Sequence, residues 1–174
     1  MTLNEWFTKG LAERTYVHNM GKTGKICSRC TTSMQFIKKK KSCFKSCKKK
    51  KLRALVITAD WCGDAMVNVP IFMRIANEAL IDARYFIRDE HLDLMDQYLT
   101  NGTARSIPII VIIDQDGNEV GKWGPRSAEA QRFVDEKNRT KMHLIMKKLF
   151  KYLRKKPHIT IRQTATYGKI LRKK

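Results

Sequence analysis

Residues 59–65 read Ala-Asp-Trp-Cys-Gly-Asp-Ala, and they lie where a buried strand is predicted to give way to a helix. Before them, residues 55–59 form a short apolar run rich in β-branched side chains, which is typical of a covered strand. After them, apolar residues recur at roughly helical spacing, at Met66, Val69, Ile71, Phe72, Ile75 and Ala76. Cys62 is therefore predicted to lie close to a helix N-terminus.

This predicted position favours a reactive Cys62. Unpaired backbone N–H groups and the positive end of the helix dipole favour a thiolate there, and the thiolate is the nucleophilic form of cysteine. The carboxylates of Asp60 and Asp64 oppose the thiolate, although Asp64 also suits the first turn of a helix. The alternative to a nucleophile is a buried cysteine that packs as a small apolar residue.

Further strands are predicted downstream of the Cys62 helix. Residues 82–87 alternate in polarity, and residues 109–113 form a continuous apolar run suited to burial on both faces. Residues 114–118 predict a hairpin turn, after which residues 119–123 return antiparallel.

Helices are predicted between and around these strands. Residues 2–5 read as a capping box for a short helix that ends near Lys9, and its apolar side is expected to pack on the domain. Residues 92–99 carry a short helical stripe, and residues 127–136 suit a helix capped by Ser127. The order of elements predicts an α/β sandwich with a mixed sheet.

The motif around Cys62 resembles that of the thioredoxin superfamily. The resemblance rests on Trp61-Cys62-Gly63, on Pro70 and on the Ile107-Pro108 step that opens a later strand, and it covers residues 53–136. It implies a thioredoxin-like three-layer sandwich and a thiol–disulfide oxidoreductase with Cys62 as its catalytic residue. It further implies a cis bond before Pro108 and a substrate-binding surface made by the active-site loop and a second segment, namely Trp61, Gly63, Asp64, Ile107 and Pro108.

The motif also departs from the family pattern. Ala65 stands where a thioredoxin has its resolving cysteine, Asp64 stands where it has proline, and Val56 occupies the position of the buried acid. A dithiol cycle therefore cannot run on this loop alone. We expect single-cysteine chemistry without a cofactor, in which Cys62 forms mixed disulfides with protein or small-thiol substrates. The thiol that releases them comes from a second substrate thiol, a low-molecular-weight thiol reductant or another cysteine of this chain. The alternative is a non-catalytic thioredoxin-fold binding module.

The net charge of +20 is distributed unevenly. Residues 1–51 carry 14 basic and 2 acidic side chains, residues 52–137 carry 9 and 14, and residues 138–174 carry 13 and none. We therefore predict a thioredoxin-like domain over 52–137, preceded by a packed N-terminal helix (1–17) and a basic, mostly irregular segment (18–51). A basic C-terminal extension (138–174) follows the domain. Such basic flanks can bind nucleic acid or an anionic surface.

Four further cysteines support a rival hypothesis. Cys27, Cys30, Cys43 and Cys47 lie in two close pairs, which suits a tetrahedral zinc ion, and the basic surroundings would make this a zinc-stabilised nucleic-acid-binding protein. The spacing is not diagnostic, and few aromatic residues interleave the basic run. A solvated segment without metal is the favoured interpretation.

The chain lacks the sequence signals of export. No apolar run reaches the roughly 18–20 residues that span a bilayer, and the first twenty residues have no apolar signal core. A cytoplasmic location with free thiols is expected. The amino-acid composition changes abruptly at both flanks. This change also permits the hypothesis that parts of 19–51 and 138–174 are translated out of frame, which resequencing of the gene would test.

Overall fold

The computed structural model describes residues 1–20, 47–48 and 50–140. Residues Met1–Ser127 form one compact unit, and a second unit begins at Ala128. In the second unit, residues 128–140 are helical, so this helix continues past the predicted end at 136. The α/β fold belongs to the first unit.

Four α-helices of the first unit have both ends within the described residues, and the first begins where the sequence predicts it. In the capping box, the Glu5 backbone N–H donates to Thr2 Oγ1 (3.2 Å) and the Thr2 N–H donates to Glu5 Oε2 (2.9 Å). Pro70 lies inside the long helix that follows Cys62. Short 3₁₀ turns, Arg88–Glu90 and Asp96–Tyr98, flank the last helix. The helices are α1 (Leu3–Lys9), α2 (Glu13–Asn19), α3 (Gly63–Ala79) and α4 (Leu92–Met95).

Five strands form one mixed sheet in the order β1-β3-β2-β4-β5. The central strands β2 and β3 are parallel, and every other pairing is antiparallel. This architecture confirms the predicted α/β sandwich with a mixed sheet. The strands are β1 (Leu11–Ala12), β2 (Arg53–Thr58), β3 (Asp82–Ile87), β4 (Ile109–Ile113) and β5 (Glu119–Trp123).

Apolar side chains cover both faces of the sheet. On one face, α1 and the α4 region pack over the sheet through Trp6, Phe7 and Leu94. On the other face, α2 and α3 pack through residues that include Tyr16, Val69, Phe72 and Met73. The two covered faces make the sandwich three-layered. They also explain why β3 buries side chains on both faces although its sequence alternates in polarity: Tyr85 and Phe86 point to opposite faces and are both fully buried.

The structure adds β1 and α2, which the sequence does not predict. Leu11 and Ala12 pair antiparallel with Tyr85 and Arg84 at the outer edge of β3. The helix α2 follows immediately, and the phenol of Tyr16 stacks on the ring of Tyr85 with 4.8 Å between centroids. These short elements therefore belong to the same core as the predicted sheet.

Arg53 makes several contacts at the end of the sheet where β2 begins. Its Nη2 donates to Asn4 Oδ1 (2.6 Å), to the Asp114 carbonyl oxygen (2.7 Å) and to the Gln115 carbonyl oxygen (2.8 Å). The guanidinium carbon also lies 4.9 Å from the centroid of the Phe7 ring. One side chain thus ties α1 to the turn between β4 and β5.

Candidate functional site

Cys62 lies at the opposite end of β2, at the N-cap of α3. Its backbone is extended, with φ −84° and ψ 118°, and its carbonyl oxygen accepts from the Met66 N–H at 2.9 Å, which starts the helix. Because Cys62 makes no side-chain cap, the N–H groups of the first turn remain available to a negative charge beside the sulfur. The side chain is half-buried and packs against the cores of both sheet faces.

The segment before β4 borders the sulfur. Cys62 Sγ lies 3.4 Å from the carbonyl oxygen of Ile107, to which the thiol donates. The Ile107–Pro108 peptide bond is cis, the isomer that the resemblance implies, and both residues are buried. The fold therefore brings three of the sequence-predicted site residues into one place, although they are separated by 45 positions in the chain.

A third segment, which the sequence does not predict as part of the site, packs behind Pro108. Gly124 has φ +129°, and a Cβ atom added there would overlap the carbonyl oxygen of Pro108. The Gly124–Pro125 bond is also cis, and Pro125 is buried. Only a residue without a side chain fits this close approach of two backbones.

Trp61 is an exposed member of the site, with 58% of its surface accessible. Its indole Nε1 donates to Asp89 Oδ2 at 3.3 Å, and the Arg88 guanidinium lies 4.6 Å from its ring centroid. Arg88 in turn pairs with Asp89 at 2.6 Å and donates to the Arg105 carbonyl oxygen at 3.3 Å. Trp61 is thus held against the end of β3 while much of its ring faces solvent.

Asp64 and Gly63 occupy the first turn of α3. Asp64 forms an ion pair with Arg126, and both side chains are partly buried. Its carbonyl oxygen also accepts from Asn68 Nδ2 at 2.9 Å. At Gly63, no neighbouring atom of the described residues lies within 4 Å of the position that a Cβ atom would take. Asp64 is therefore a first-turn acid with a cationic partner.

Two of the residues that depart from the thioredoxin motif, Ala65 and Val56, pack in the core. Ala65 is 2% exposed and Val56 is fully buried, and both contribute to the core on the α3 face. Within the described parts of the chain, Cys47 and Cys62 are the cysteines, and both are free thiols. The buried methyl group of Ala65 cannot perform the resolving step of a dithiol.

Of the four cysteines proposed as zinc ligands, one lies within the described residues. Cys47 is described and helical, whereas Cys27, Cys30 and Cys43 lie outside the described residues. Among residues 1–20, 47–48 and 50–140, no group of three or more His, Cys, Asp or Glu side chains is arranged to hold a metal ion. In the same ranges, no helix combines the length and apolar character that crossing a membrane requires.

Four site residues, Arg88, Asp89, Gly124 and Arg126, are absent from the sequence prediction. The first two have a topological signal: β2 and β3 are parallel, so residues after Ile87 lie at the same sheet edge as residues after Thr58. Gly124 and Arg126 have none, because they reach the site through contacts far apart in sequence.

Comparison with known proteins agrees with this architecture. A protein-family model described as thioredoxin matches residues 10–142, and a search of curated proteins found no significant match. Among solved structures, a protein of unknown function from Pseudomonas aeruginosa is 17% identical, with a TM-score of 0.61 over 74% of this chain and 80% of its own. An HIV epitope-scaffold is 18% identical, with a TM-score of 0.56 over 72% of this chain and 78% of its own. These two likenesses concern the fold.

Proposed function

The chain belongs to the thioredoxin family, and we propose that it is a thiol–disulfide oxidoreductase whose single nucleophile is Cys62. One observation carries the proposal: Cys62 starts α3 with its sulfur 3.4 Å from the carbonyl oxygen that precedes the cis bond at Pro108. The sulfur is therefore at a helix N-terminus, partly accessible, and beside a fixed backbone segment. A helix N-terminus stabilises a thiolate, which is the attacking species.

The first step is a thiol–disulfide exchange. The Cys62 thiolate attacks one sulfur of a substrate disulfide, a new S–S bond forms, and the original S–S bond breaks. The electron pair leaves on the second substrate sulfur, which takes up a proton from solvent. Cys62 and the substrate are then joined as a mixed disulfide, and no cofactor takes part.

The second step needs a thiol from outside the loop, because Ala65 has only a methyl group. The thiolate form of a second substrate thiol or of a low-molecular-weight thiol attacks the substrate sulfur of the mixed disulfide. A new S–S bond joins the attacking sulfur to the substrate, the bond to Cys62 breaks, and the electron pair leaves on the Cys62 thiolate. A reducing compartment such as the cytoplasm supplies that thiol. Exposed Trp61 next to Cys62, followed on α3 by exposed Val67, offers an apolar surface to the polypeptide that carries the disulfide.

Trapping of the mixed disulfide tests the proposal. The protein is incubated with a labelled peptide disulfide, quenched in acid, and the adduct is located by peptide mass spectrometry. We expect the adduct on Cys62, and Cys62→Ser should reduce it by a factor of about 100 or more, since serine is a far weaker nucleophile at neutral pH. Cys47→Ser is the matched control and should trap like the unaltered protein.

Ala65→Cys tests the missing resolving step. A thiol at this position should shorten the lifetime of the adduct, because an intramolecular thiol acts at a high effective concentration. An adduct that lasts equally long in Ala65→Cys would contradict the claim that the missing thiol at position 65 is what leaves the mixed disulfide unresolved. If Cys62 traps nothing while the protein still binds the peptide, the non-catalytic binding module replaces the proposed function.

A further inference from the structure

The ion pair between Asp64 and Arg126 places a cation beside an acid that lies two residues after the proposed nucleophile. The side chains are 31% and 26% exposed, so the pair is shielded more than a surface pair. Arg126 follows the cis Gly124–Pro125 segment, which packs on the carbonyl of Pro108. The pair therefore connects the start of α3 to the segment behind Pro108.

Two carboxylates, those of Asp60 and Asp64, lie within two residues of Cys62 in the chain, and a third, Asp89, accepts a hydrogen bond from the neighbouring Trp61. Asp89 pairs with Arg88 at 2.6 Å, and Asp64 pairs with Arg126. Asp60 is exposed to solvent, where water screens its charge. Without Arg126, the partly buried carboxylate of Asp64 would stand uncompensated in the turn that has to stabilise a negative sulfur.

We propose that Arg126 is a positioning residue that neutralises Asp64 and thereby preserves the nucleophilic reactivity of Cys62. The contact of Arg126 that carries this role is its ion pair with Asp64, so Arg126 acts on Cys62 through Asp64. The inference rests on the proposed function, because it concerns the same sulfur. It explains how the chain keeps a reactive cysteine although an acid replaces the proline of the family motif.

Four variants separate this role from the alternatives: Arg126→Gln, Arg126→Lys, Asp64→Asn and the double variant Asp64→Asn with Arg126→Gln. The readout is the rate at which uncharged iodoacetamide alkylates Cys62 in the full chain, followed by peptide mass spectrometry. An uncharged reagent is used because it is neither attracted nor repelled by the altered charges. Circular dichroism establishes that each variant is folded.

We expect Arg126→Gln to slow alkylation by a factor of about 3–10, which is the effect of one uncompensated charge at close range and intermediate dielectric. The double variant should return to within about twofold of the unaltered protein, because the charge that Arg126 compensates is gone. Arg126→Lys should retain most of the rate, because it keeps the positive charge. Asp64→Asn alone should be at least as fast as the unaltered protein.

Other outcomes would overturn the inference. If the double variant is as slow as Arg126→Gln, Arg126 acts independently of Asp64. If Arg126→Gln alkylates normally, the pair has no effect on Cys62. Should Arg126→Gln fail to fold, Asp64→Asn still decides, since a slower Cys62 in that variant contradicts the inference. Failure of the proposed function is distinct, because it would leave Cys62 of the unaltered protein unreactive and untrapped.

Discussion

The two ends of β2 use arginine in different ways. At the end where the strand begins, the partners of Arg53 among the described residues are neutral oxygens, those of the Asn4 amide and of the Asp114 and Gln115 carbonyls. Its guanidinium also lies over the ring of Phe7. This end holds α1 and the β4–β5 turn together.

At the end where β2 gives way to α3, two arginines meet carboxylates. Arg88 pairs with Asp89, Arg126 pairs with Asp64, and among the described residues the space next to Gly63 is open. The contacts at one end of the sheet join neighbouring elements, whereas the ion pairs at the other end balance charge around an accessible sulfur. Substitutions at the first end should therefore change stability, and those at the second should also change the chemistry of Cys62.

Gly124→Ala is expected to have the largest effect on the Cys62 end. Strain at a positive φ adds to overlap with the Pro108 carbonyl, so the free energy of unfolding should fall by about 2–5 kcal/mol. Urea unfolding measures this loss. Mixed-disulfide trapping should weaken in the same variant, because Pro108 and the neighbouring Ile107 carbonyl would be displaced.

Gly121→Ala is the matched control, since Gly121 lies on β5 where an added Cβ atom meets open space. It should change the free energy of unfolding by less than about 1 kcal/mol. Equal losses in the two alanine variants would contradict the close packing of Gly124 on Pro108.

Arg53→Ala should break the other end without affecting the sulfur. Loss of its hydrogen bonds to Asn4 and to the two turn carbonyls should lower the free energy of unfolding by about 2–3 kcal/mol, again measured in urea. The alkylation rate of Cys62 in the folded variant should stay within about twofold of the unaltered rate, because distant sites act independently. A large loss of Cys62 reactivity would mean that the two ends are coupled.

Arg14→Ala provides the control for loss of a positive charge. Arg14 is exposed on α2, and its replacement should alter the free energy of unfolding by no more than about 0.5 kcal/mol. A loss as large as that of Arg53→Ala would assign the effect to net charge.

The smallest effect is expected from the pH response of the turn that Arg53 holds. The Asn118 side chain and backbone N–H donate to the Asp114 carboxylate and lower the pKa of Asp114. A lowered folded-state pKa stabilises the fold above the unfolded value, and this contribution is lost as pH falls below about 4 and through the folded pKa. Urea unfolding from pH 6 to pH 2 should therefore show a slightly smaller acid loss in Asp114→Asn than in the unaltered protein.

Asp116→Asn controls for the removal of one negative charge from the same turn. If both asparagine variants respond alike, the acid response comes from general charge and not from the hydrogen bonds of Asp114.

The sequence predicts the parts of the fold that have local signals. The capping box at Thr2 and the apolar runs of β2 and β4 are recognisable because a short window contains the whole pattern. The pair β1 and α2 has no such window: β1 has two residues, and Ala12 at the N-cap of α2 provides no side-chain cap. These elements form because β1 pairs with the edge of β3 and because Tyr16 of α2 stacks on Tyr85.

The candidate site divides in the same way. Trp61 and Cys62 are recognisable from a contiguous motif, and Pro108 from the resemblance to the thioredoxin superfamily. Arg126 could not be predicted, because its contact with Asp64 joins residues 62 positions apart and depends on how the chain turns after β5. The sequence reveals the negative charge of Asp64 but not its ion pair. The effect of that charge on the Cys62 sulfur depends on the pairing with Arg126.

The two-residue strand β1 has a practical consequence for handling the protein. It pairs only with Tyr85 and Arg84 of β3, yet together with buried Trp6 and Phe7 it covers the outer margin of the sheet. A shortened version that begins at β2 would uncover the backbone hydrogen-bonding groups of β3 and the apolar side chains beneath α1. An exposed strand edge recruits other chains, so such a version is expected to aggregate during expression.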